Sequence, residues 1–420
     1  MAAPRPSRRA VLAGAVASAV VAGLWPRRSF ASPGDLTFVF VRVFGGWDTT
    51  RVFATVLDNP GVDTEPEAEV AAVGGLSFVD HPDRPGVRSF FERWGEQSLI
   101  LNGAIIPSVN HRICERMAYT GSQVETAPDI PTLLAHAQAD RYGLPHVQVG
   151  GPAMPGSLAQ SLVRIGGGGE IGSILDGSIL SRSDLPVQSP DHAVTDLLDA
   201  HARTGAALRI ARGRGSADLR LARAIEDGLA KVGTMKELAG TVRWDTGDTF
   251  QGKVDLALDL LSLGLSRCVT LAYESSTWDS HEGNDEKQMA NFIELFDGLA
   301  DLMEGLASTP GPNGGSLADQ TVVVVQSEMG RTPFTNAGKG KDHWQHTSAL
   351  LVGPGLSGGR VVGGFNELFY GEKVDLATGE VAAKGRELTP AVVCSTLLAL
   401  GGMEGAESLA EWAPITGILG

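Results

Sequence analysis

Runs of β-branched and aromatic residues constrain the fold of this chain most strongly. Residues 36–44 (LTFVFVRVF) are almost entirely apolar, and residues 321–328 (TVVVVQSE) contain four consecutive valines. Neither run shows the polar alternation of a half-exposed strand. Such runs are typical of strands buried on both faces, as in a parallel sheet covered by helices. We predict further strands of this kind near Leu99, near Val147, and at residues 267–274 and 348–353.

Amphipathic helical segments alternate with these runs. Residues 285–308 place apolar side chains at helical spacing, namely Met289, Phe292, Ile293, Phe296 and Leu299. A strand, a helix of this length and a second strand form a βαβ crossover, which joins parallel strands. Ala-, Leu- and Arg-rich stretches predict a helical insertion at about residues 155–265. The sequence therefore predicts an α/β fold, a three-layer sandwich with a mostly parallel central sheet, in one domain of residues 32–420.

The first 31 residues predict an export signal. Arg8 and Arg9 precede an apolar run of about 15 residues, and a small-x-small cleavage pattern follows at residues 29–31. The run is shorter than the roughly 20 residues that a spanning helix needs, so we expect no stable membrane span in the mature chain. We expect export by the twin-arginine machinery and a periplasmic or secreted protein.

The charge of the chain limits its partners. The formal net charge is −15, and removal of residues 1–31, which hold five arginines and no acids, lowers it to −20. A protein this acidic repels phosphate backbones, so nucleic acid is excluded as an expected partner. If the substrate is itself an anion, a bound divalent cation is needed to reverse the local field.

Carboxylates and histidines follow several of the predicted strands or lie in the glycine-rich loop before the last one. They are Asp48, Asp279, His281, Glu328, Asp342, His343 and His346. The carboxyl ends of parallel strands meet at one edge of a sheet, so we expect these side chains to converge there. This ligand set suits a divalent metal, with zinc as the first choice and manganese or calcium as alternatives.

Each of these residues also has a structural interpretation when it is taken alone. Asp48 could be a turn residue after Gly45 and Gly46, and Asp279 could cap a helix. His281 could lie in solvent. The metal hypothesis depends on the grouping of these residues rather than on any single one.

Motifs across most of the mature chain resemble the bacterial, twin-arginine-exported family called domain of unknown function 1501. They lie at residues 38–48, 277–285, 322–364 and 388–402, and include S-E-x-G-R-T followed by G-x-D-H-W. That family is similar to the alkaline phosphatase and sulfatase superfamily. The resemblance implies an alkaline-phosphatase-like α/β sandwich with one or two metal ions at the sheet edge.

The resemblance also implies roles for particular residues. It makes Asp48 a ligand after the first strand and Asp279 with His281 a ligand pair. It assigns the remaining ligands to Glu328, Asp342, His343 and His346.

The superfamily carries a hydroxyl nucleophile at the start of a helix beside the metal, and the related family shows Ser-His there. This chain has Asn110-His111 at that place, with Ser108 two residues earlier. Ser108, Asn110 and His111 are therefore the candidate catalytic residues, and a water molecule activated by the metal is an alternative nucleophile.

Two functions remain open at this point. The first is an exported metal-dependent hydrolase of sulfate or phosphate esters, acting on a small anionic ester. The second is a non-catalytic periplasmic or cell-surface binding or assembly protein that retains the fold.

The export signal can be tested by changing its arginine pair. We expect Arg8→Lys combined with Arg9→Lys to retain the precursor in the cytoplasm, because the twin-arginine route recognises this pair. Immunoblots of cytoplasmic and periplasmic fractions measure the outcome. A normal periplasmic yield of the double variant would contradict the assignment.

Overall fold

The structure, a computed structural model, describes residues 32–166, 192–213, 215–275, 277–406 and 409–420. All of these residues belong to one compact unit that begins at Ala31. The predicted export signal, residues 1–31, lies outside the described residues.

Twelve strands are present among the described residues. In chain order they are β1 (Thr37–Phe44), β2 (Glu69–Val73), β3 (Leu76–Asp80), β4 (Ser98–Ile105), β5 (His146–Val149), β6 (Leu162–Ile165), β7 (Cys268–Glu274), β8 (Thr321–Ser327), β9 (Gly330–Arg331), β10 (His343–Trp344), β11 (His346–Val352) and β12 (Arg360–Gly363). Eight of them form a central sheet in the order β12-β4-β11-β8-β1-β7-β5-β6. Within this sheet only β11 is antiparallel to its neighbours. The mostly parallel sheet predicted from the sequence is confirmed.

Helices cover both faces of the central sheet. They are α1 (Pro85–Trp94), α2 (His111–Thr120), α3 (Ile130–His136), α4 (His192–Arg212), α5 (Gly215–Glu237), α6 (Phe250–Ser262), α7 (Asn284–Ser308) and α8 (Pro390–Leu400). Helices α1, α6 and α7 share a core with Val39 and Val41, whereas α3 and α8 share a second core with Phe38 and Phe40. Successive residues of β1 thus face opposite layers, which explains its unbroken apolar run. Across the described residues, no helix combines the length and the apolar character needed to span a membrane.

The predicted crossover between residues 267 and 328 is present. Helix α7 joins β7 to β8, and both strands run parallel to β1, which lies between them. The chain therefore returns to the same edge of the sheet after each of these strands. This topology brings the segments after β1, β7 and β8 close together.

The region predicted as a helical insertion, about residues 155–265, contains α4, α5 and α6 among the described residues. Within the same range, β6 forms the edge strand of the central sheet, and α6 buries Val254 and Leu260 in the main core. Part of this range is therefore integrated into the sandwich. The insertion boundary remains a prediction.

A buried cluster of charges ties the end of β1 to α7. The carboxylate of Asp48 accepts hydrogen bonds from Thr50 Oγ1 (2.6 Å) and Asn284 Nδ2 (2.8 Å), and pairs with Arg51 (3.1 Å) and Lys341 (2.9 Å). Asp48, Arg51 and Lys341 are all buried. Burial alone would raise the pKa of Asp48, but the charges of Lys341 and Arg51 outweigh it and hold the pKa well below its ordinary range.

Removal of the Asp48 carboxylate is therefore expected to be costly. Asp48→Ala leaves Lys341 and Arg51 buried with fewer counter-charges, and we expect the free energy of unfolding to fall by about 3–5 kcal/mol. Urea denaturation measures this change. The matched control is Asp58→Ala at an exposed position, which we expect to stay within about 0.5 kcal/mol of wild type. Equal stabilities of the two variants would contradict the role given to Asp48.

Candidate metal centre

The carboxyl edge of the central sheet gathers a group of imidazoles around one carboxylate. Asp279 and His281 follow β7, His111 is the first residue of α2 after β4, and His343 begins β10. Ligand atoms of His111, Asp279 and His343 all lie within 4.8 Å of one another. The sheet topology therefore brings together residues that are far apart in the chain.

Three imidazole Nε2 atoms face the carboxylate of Asp279. His343 Nε2 lies 3.0 Å and His281 Nε2 lies 3.1 Å from Asp279 Oδ1, and His111 Nε2 lies 3.6 Å from Oδ2. The Nε2 atoms of His281 and His343 are only 3.0 Å apart. Two ligands of one tetrahedral zinc ion, each bound at about 2.0–2.1 Å, lie about 3.3 Å apart, so this spacing is close to that of a shared ion.

The Nδ1 atom of each imidazole has its own acceptor. His343 Nδ1 donates to the Val109 carbonyl (2.8 Å), His111 Nδ1 to Glu328 Oε1 (2.8 Å), and His281 Nδ1 to Asp342 Oδ1 (2.9 Å). A carbonyl oxygen can only accept, so the proton of a neutral His343 lies on Nδ1 and its Nε2 carries a lone pair. Partners of this kind orient metal-binding histidines in proteins.

This arrangement places lone pairs against one another unless a cation lies between them. In the neutral tautomers set by the Nδ1 partners, the Nε2 atoms of His281 and His343 and the oxygen of Asp279 are all acceptors at about 3 Å. A divalent ion removes this repulsion by accepting all of these lone pairs. The donor set, imidazole nitrogen with one carboxylate, is the type that zinc binds. The residues present therefore fit the metal that the family resemblance implies.

Asp279 is kept ionised and in place by Arg331. The guanidinium Nη2 of Arg331 donates to Asp279 Oδ1 at 2.6 Å. Partial burial raises the pKa of Asp279, but the hydrogen bond and the positive charge of Arg331 outweigh it and bring the pKa to about 2. Asp279 is therefore a carboxylate at any physiological pH, as a metal ligand must be.

The position of Arg331 depends on two glycines after β1. The buried guanidinium also donates to the carbonyl groups of Gly45, Gly46 (2.9 Å) and Lys341 (3.0 Å). Gly45 and Gly46 have φ values of 120° and 81°, and a Cβ on Gly46 would lie 3.3 Å from Arg331 Nε. No sequence pattern pointed to a role for Arg331, although the S-E-x-G-R-T motif contains it.

Glu328 orients His111. It is fully buried, and its Oε1 accepts from His111 Nδ1 and from the backbone N–H of Gly45, both at 2.8 Å. The hydrogen bond with Glu328 raises the pKa of His111. The structure thus places Glu328 behind a histidine, where it fixes the ring.

Two residues predicted as ligands lie outside this group. The carboxylate oxygens of Asp48 are bonded to Asn284, Arg51 and Lys341, and its ligand role remains a prediction. His346 is buried in β11, accepts a hydrogen bond from the N–H of Gly371 (3.0 Å) and packs against the ring of Tyr370. A bend at Gln345 separates the two histidines, so that His343 lies in the small β9-β10 sheet and His346 in the central sheet.

The predicted catalytic segment supports the start of α2. Asn110 is the N-cap, and its Oδ1 accepts from the N–H of Ile113 at 3.3 Å. Ser108 Oγ accepts from the N–H of Asn110 at 3.2 Å. Both side chains hold the turn that presents the Val109 carbonyl to His343 and places His111 in the metal group, a name we give to His111, Asp279, His281 and His343. A nucleophilic role for Ser108 remains a prediction.

The metal hypothesis is tested by removing one imidazole. His343→Ala deletes a nitrogen that faces both Asp279 and His281, and we expect zinc affinity to fall by about 100-fold or more. Zinc should also raise the melting temperature of wild type more than that of the variant, because binding to the native state adds stability by mass action.

Competitive titration against a chelating dye measures the zinc affinity. The control is His201→Ala, which changes an exposed histidine on α4 and should leave the affinity unchanged. Equal zinc affinities of His343→Ala and wild type would remove the site described here.

Several solved structures resemble the chain weakly over most of its length. The lipoteichoic acid synthase LtaP from Listeria monocytogenes is 8% identical with a TM-score of 0.43, over 94% of this chain and 78% of that one. A phosphonate monoester hydrolase from Silicibacter pomeroyi is 11% identical with a TM-score of 0.36, over 90% and 77%. A protein in the alkaline phosphatase superfamily from Vibrio parahaemolyticus is 9% identical with a TM-score of 0.37, over 89% and 68%.

No curated protein sequence matches the chain. Residues 226–378 match the model of a protein family of unknown function, DUF1501. This segment contains Asp279, His281, Glu328, Arg331 and His343. The match confirms, for this segment, the family resemblance seen in the sequence motifs.

Proposed function

We propose that this protein is a metal-dependent hydrolase of sulfate or phosphate esters. The observation that carries the proposal is the convergence of imidazole Nε2 atoms on Asp279 at a place open to solvent. The side chains of His111, Asp279 and His281 are 32%, 39% and 45% exposed. Structural zinc sites are closed, whereas catalytic ones keep a position open for water or substrate. The exposure of this group favours the catalytic type.

His111, Asp279, His281 and His343 would hold the ion, with zinc as the first choice. The bound ion would polarise the ester oxygens and supply a water molecule with a pKa lowered to about 7. The chain's contribution is to keep the four donor groups fixed while an anion enters. Glu328 does so for His111 and the Val109 carbonyl for His343.

Because the chain is acidic, binding of an anionic ester would require a local positive charge. The mature chain would carry a net charge of −20, and Asp342 and Glu328 lie directly behind the imidazoles. The charge of Arg331 is neutralised by Asp279. A divalent ion on the imidazoles therefore provides the positive charge that attracts the ester.

The hydrogen bonds of Ser108 and Asn110 bear on which group attacks the ester. Both side chains take part in the hydrogen bonds that begin α2. We therefore favour attack by water over a covalent intermediate on Ser108, and assign both residues to holding His111 in place.

A non-catalytic binding protein is the second candidate, and Asn110 favours it. The related enzymes carry a hydroxyl at this place, and in this chain an amide occupies it and caps the helix. A protein of this kind would keep the metal group and bind an anionic ligand without turnover.

Export forms a further part of the proposal. The sequence of residues 1–31 supports transport by the twin-arginine machinery to the periplasm or beyond. That route carries folded proteins, so the metal group could be loaded before export.

Turnover is tested on a panel of aryl sulfates and aryl phosphates with the zinc-loaded protein. We expect hydrolysis that a chelator abolishes and zinc restores, and we expect Asp279→Asn to lower kcat/KM by at least about 100-fold through loss of the ionised ligand. Ser108→Ala should retain both zinc and turnover. Loss of turnover in Ser108→Ala with zinc still bound would instead make Ser108 the nucleophile.

Asn110→Ser provides the converse test because it restores the hydroxyl of the related enzymes and keeps a residue that can cap α2. If wild type is inactive and Asn110→Ser gains ester hydrolysis, the site lacks only its nucleophile. Inactivity of wild type, Asn110→Ser and every metal-loaded form would overturn the hydrolase proposal in favour of the binding protein.

A further inference from the structure

A cavity of about 580 Å³ lies between α2 and the segment that follows β5. Helix α2 contributes Arg112, Glu115 and Arg116 to its lining, and residues 152–157 form the opposite wall. His111, the residue before Arg112, belongs to the metal group. Glu115, which also lines the cavity, lies one helical turn after His111 on the same face of α2, so the cavity begins about one turn, roughly 5.4 Å along the helix axis, from the place where an ester would react. Its volume is that of a small-molecule site.

The wall opposite α2 is fixed by hydrogen bonds from the sheet and from the start of α3. Gln148 Nε2 donates to the carbonyl of Pro152 (2.8 Å), and the N–H of Asp129 donates to that of Met154 (2.8 Å). Gly156 packs so closely that a Cβ there would lie 2.4 Å from a backbone oxygen. The cavity is thus formed before any ligand arrives, which lowers the entropic cost of binding.

The lining is apolar on one side and charged on the other. Pro152, Ala153, Met154 and Pro155 form the apolar side. On α2, Arg116 pairs with Glu125 at 3.2 Å, whereas the exposed Arg112 forms no ion pair with any described residue. One guanidinium is therefore available to a ligand.

Glu115 modifies the charge of this wall. It is partly buried, and burial together with the charge of Glu328 raises the pKa of Glu115 to about 7. This shift toward the neutral form weakens the repulsion between Glu115 and an anion.

We propose that this cavity binds the non-reacting part of the substrate, and that this part is an apolar body carrying a second anionic group that Arg112 contacts. The proposal rests on the ester-hydrolase function and narrows its substrates to esters with two anionic groups. The planar guanidinium pairs well with carboxylate, sulfate or phosphate, and the apolar wall accommodates the carbon skeleton between the two charges.

The test compares two matched ligand pairs on the zinc-loaded full chain. Calorimetry measures binding of phenylphosphonate and 4-carboxyphenylphosphonate, and kinetics measure hydrolysis of phenyl phosphate and 4-carboxyphenyl phosphate. We expect the carboxylate to strengthen binding and raise kcat/KM in wild type by about five- to tenfold. Arg112→Ala should abolish this ratio while leaving the uncarboxylated ligand unaffected.

Two further variants make the test specific. Glu115→Gln removes a negative charge and should increase the preference for the carboxylated ligand, opposite in sign to Arg112→Ala. Arg220→Ala changes an exposed arginine on α5 and should leave the preference as in wild type.

The outcomes separate this proposal from the function on which it rests. An Arg112-dependent preference in binding without any turnover would support the cavity and overturn the hydrolase. Turnover of both esters with no preference, or with the same ratio in Arg112→Ala, would overturn the cavity proposal and keep the hydrolase. Failure of both phosphonates to bind would overturn the cavity proposal as well.

Discussion

The ion pair between Arg331 and Asp279 is the interaction on which the candidate metal centre depends. Arg331 is buried, and its Nε and Nη1 atoms donate to backbone carbonyl groups. Its Nη2 atom donates to Asp279, and the positive charge keeps Asp279 ionised at the carboxyl edge of the sheet. Asp279 is the carboxylate that faces the Nε2 atoms of the imidazoles in the metal group, so without this anchor the Nε2 atoms would lack a fixed carboxylate partner.

Glycines allow the loop after β1 and the glycine-rich loop before β11 to pack closely against the segment after β7. Gly45 lies so close to Trp278 that a Cβ would approach the tryptophan Cβ to 2.7 Å, and Gly340 lies as close to the backbone of His281. Glycine at these positions lets the loops pack backbone against backbone. The glycine-rich loop around Asp342 is therefore a support for His281 and His343 rather than a flexible surface segment.

The sequence allowed the sheet to be predicted because its strands are buried on both faces. The runs at residues 36–44 and 321–328 correspond to β1 and β8, with ends differing by one residue. The proximity of Asp279, His281 and His343 was also predictable, because the topology of a parallel sheet brings the carboxyl ends of its strands to one edge.

Roles within the site were less predictable, because they depend on where each side chain points. Asp48 follows a strand as Asp279 does, but its carboxylate pairs with Arg51 and Lys341. Lys341 is distant in the sequence, and no motif marks Arg51 as its partner. His346 shares a loop motif with His343, but the start of β11 turns it into the protein. Arg331 was missed because a buried arginine is recognised only through its partners.

The balance between catalysis and binding depends on how the ion would be coordinated. Four donor groups would fill the coordination sphere of a tetrahedral ion. A position for substrate would remain if the ion took a fifth ligand, or if His111, whose Nε2 lies farthest from Asp279, bound only weakly. The solvent exposure of Asp279 and His281 and the neighbouring cavity both favour an open position. For these reasons we propose a ligand-binding role for the metal group rather than a purely structural one.

The most direct measurement is the anomalous scattering of zinc in crystals of the zinc-loaded protein. We predict one strong peak bonded to Asp279 and to the Nε2 atoms of His111, His281 and His343. A peak on Asp48 or His346, or no peak between these imidazoles at full zinc loading, would contradict the account.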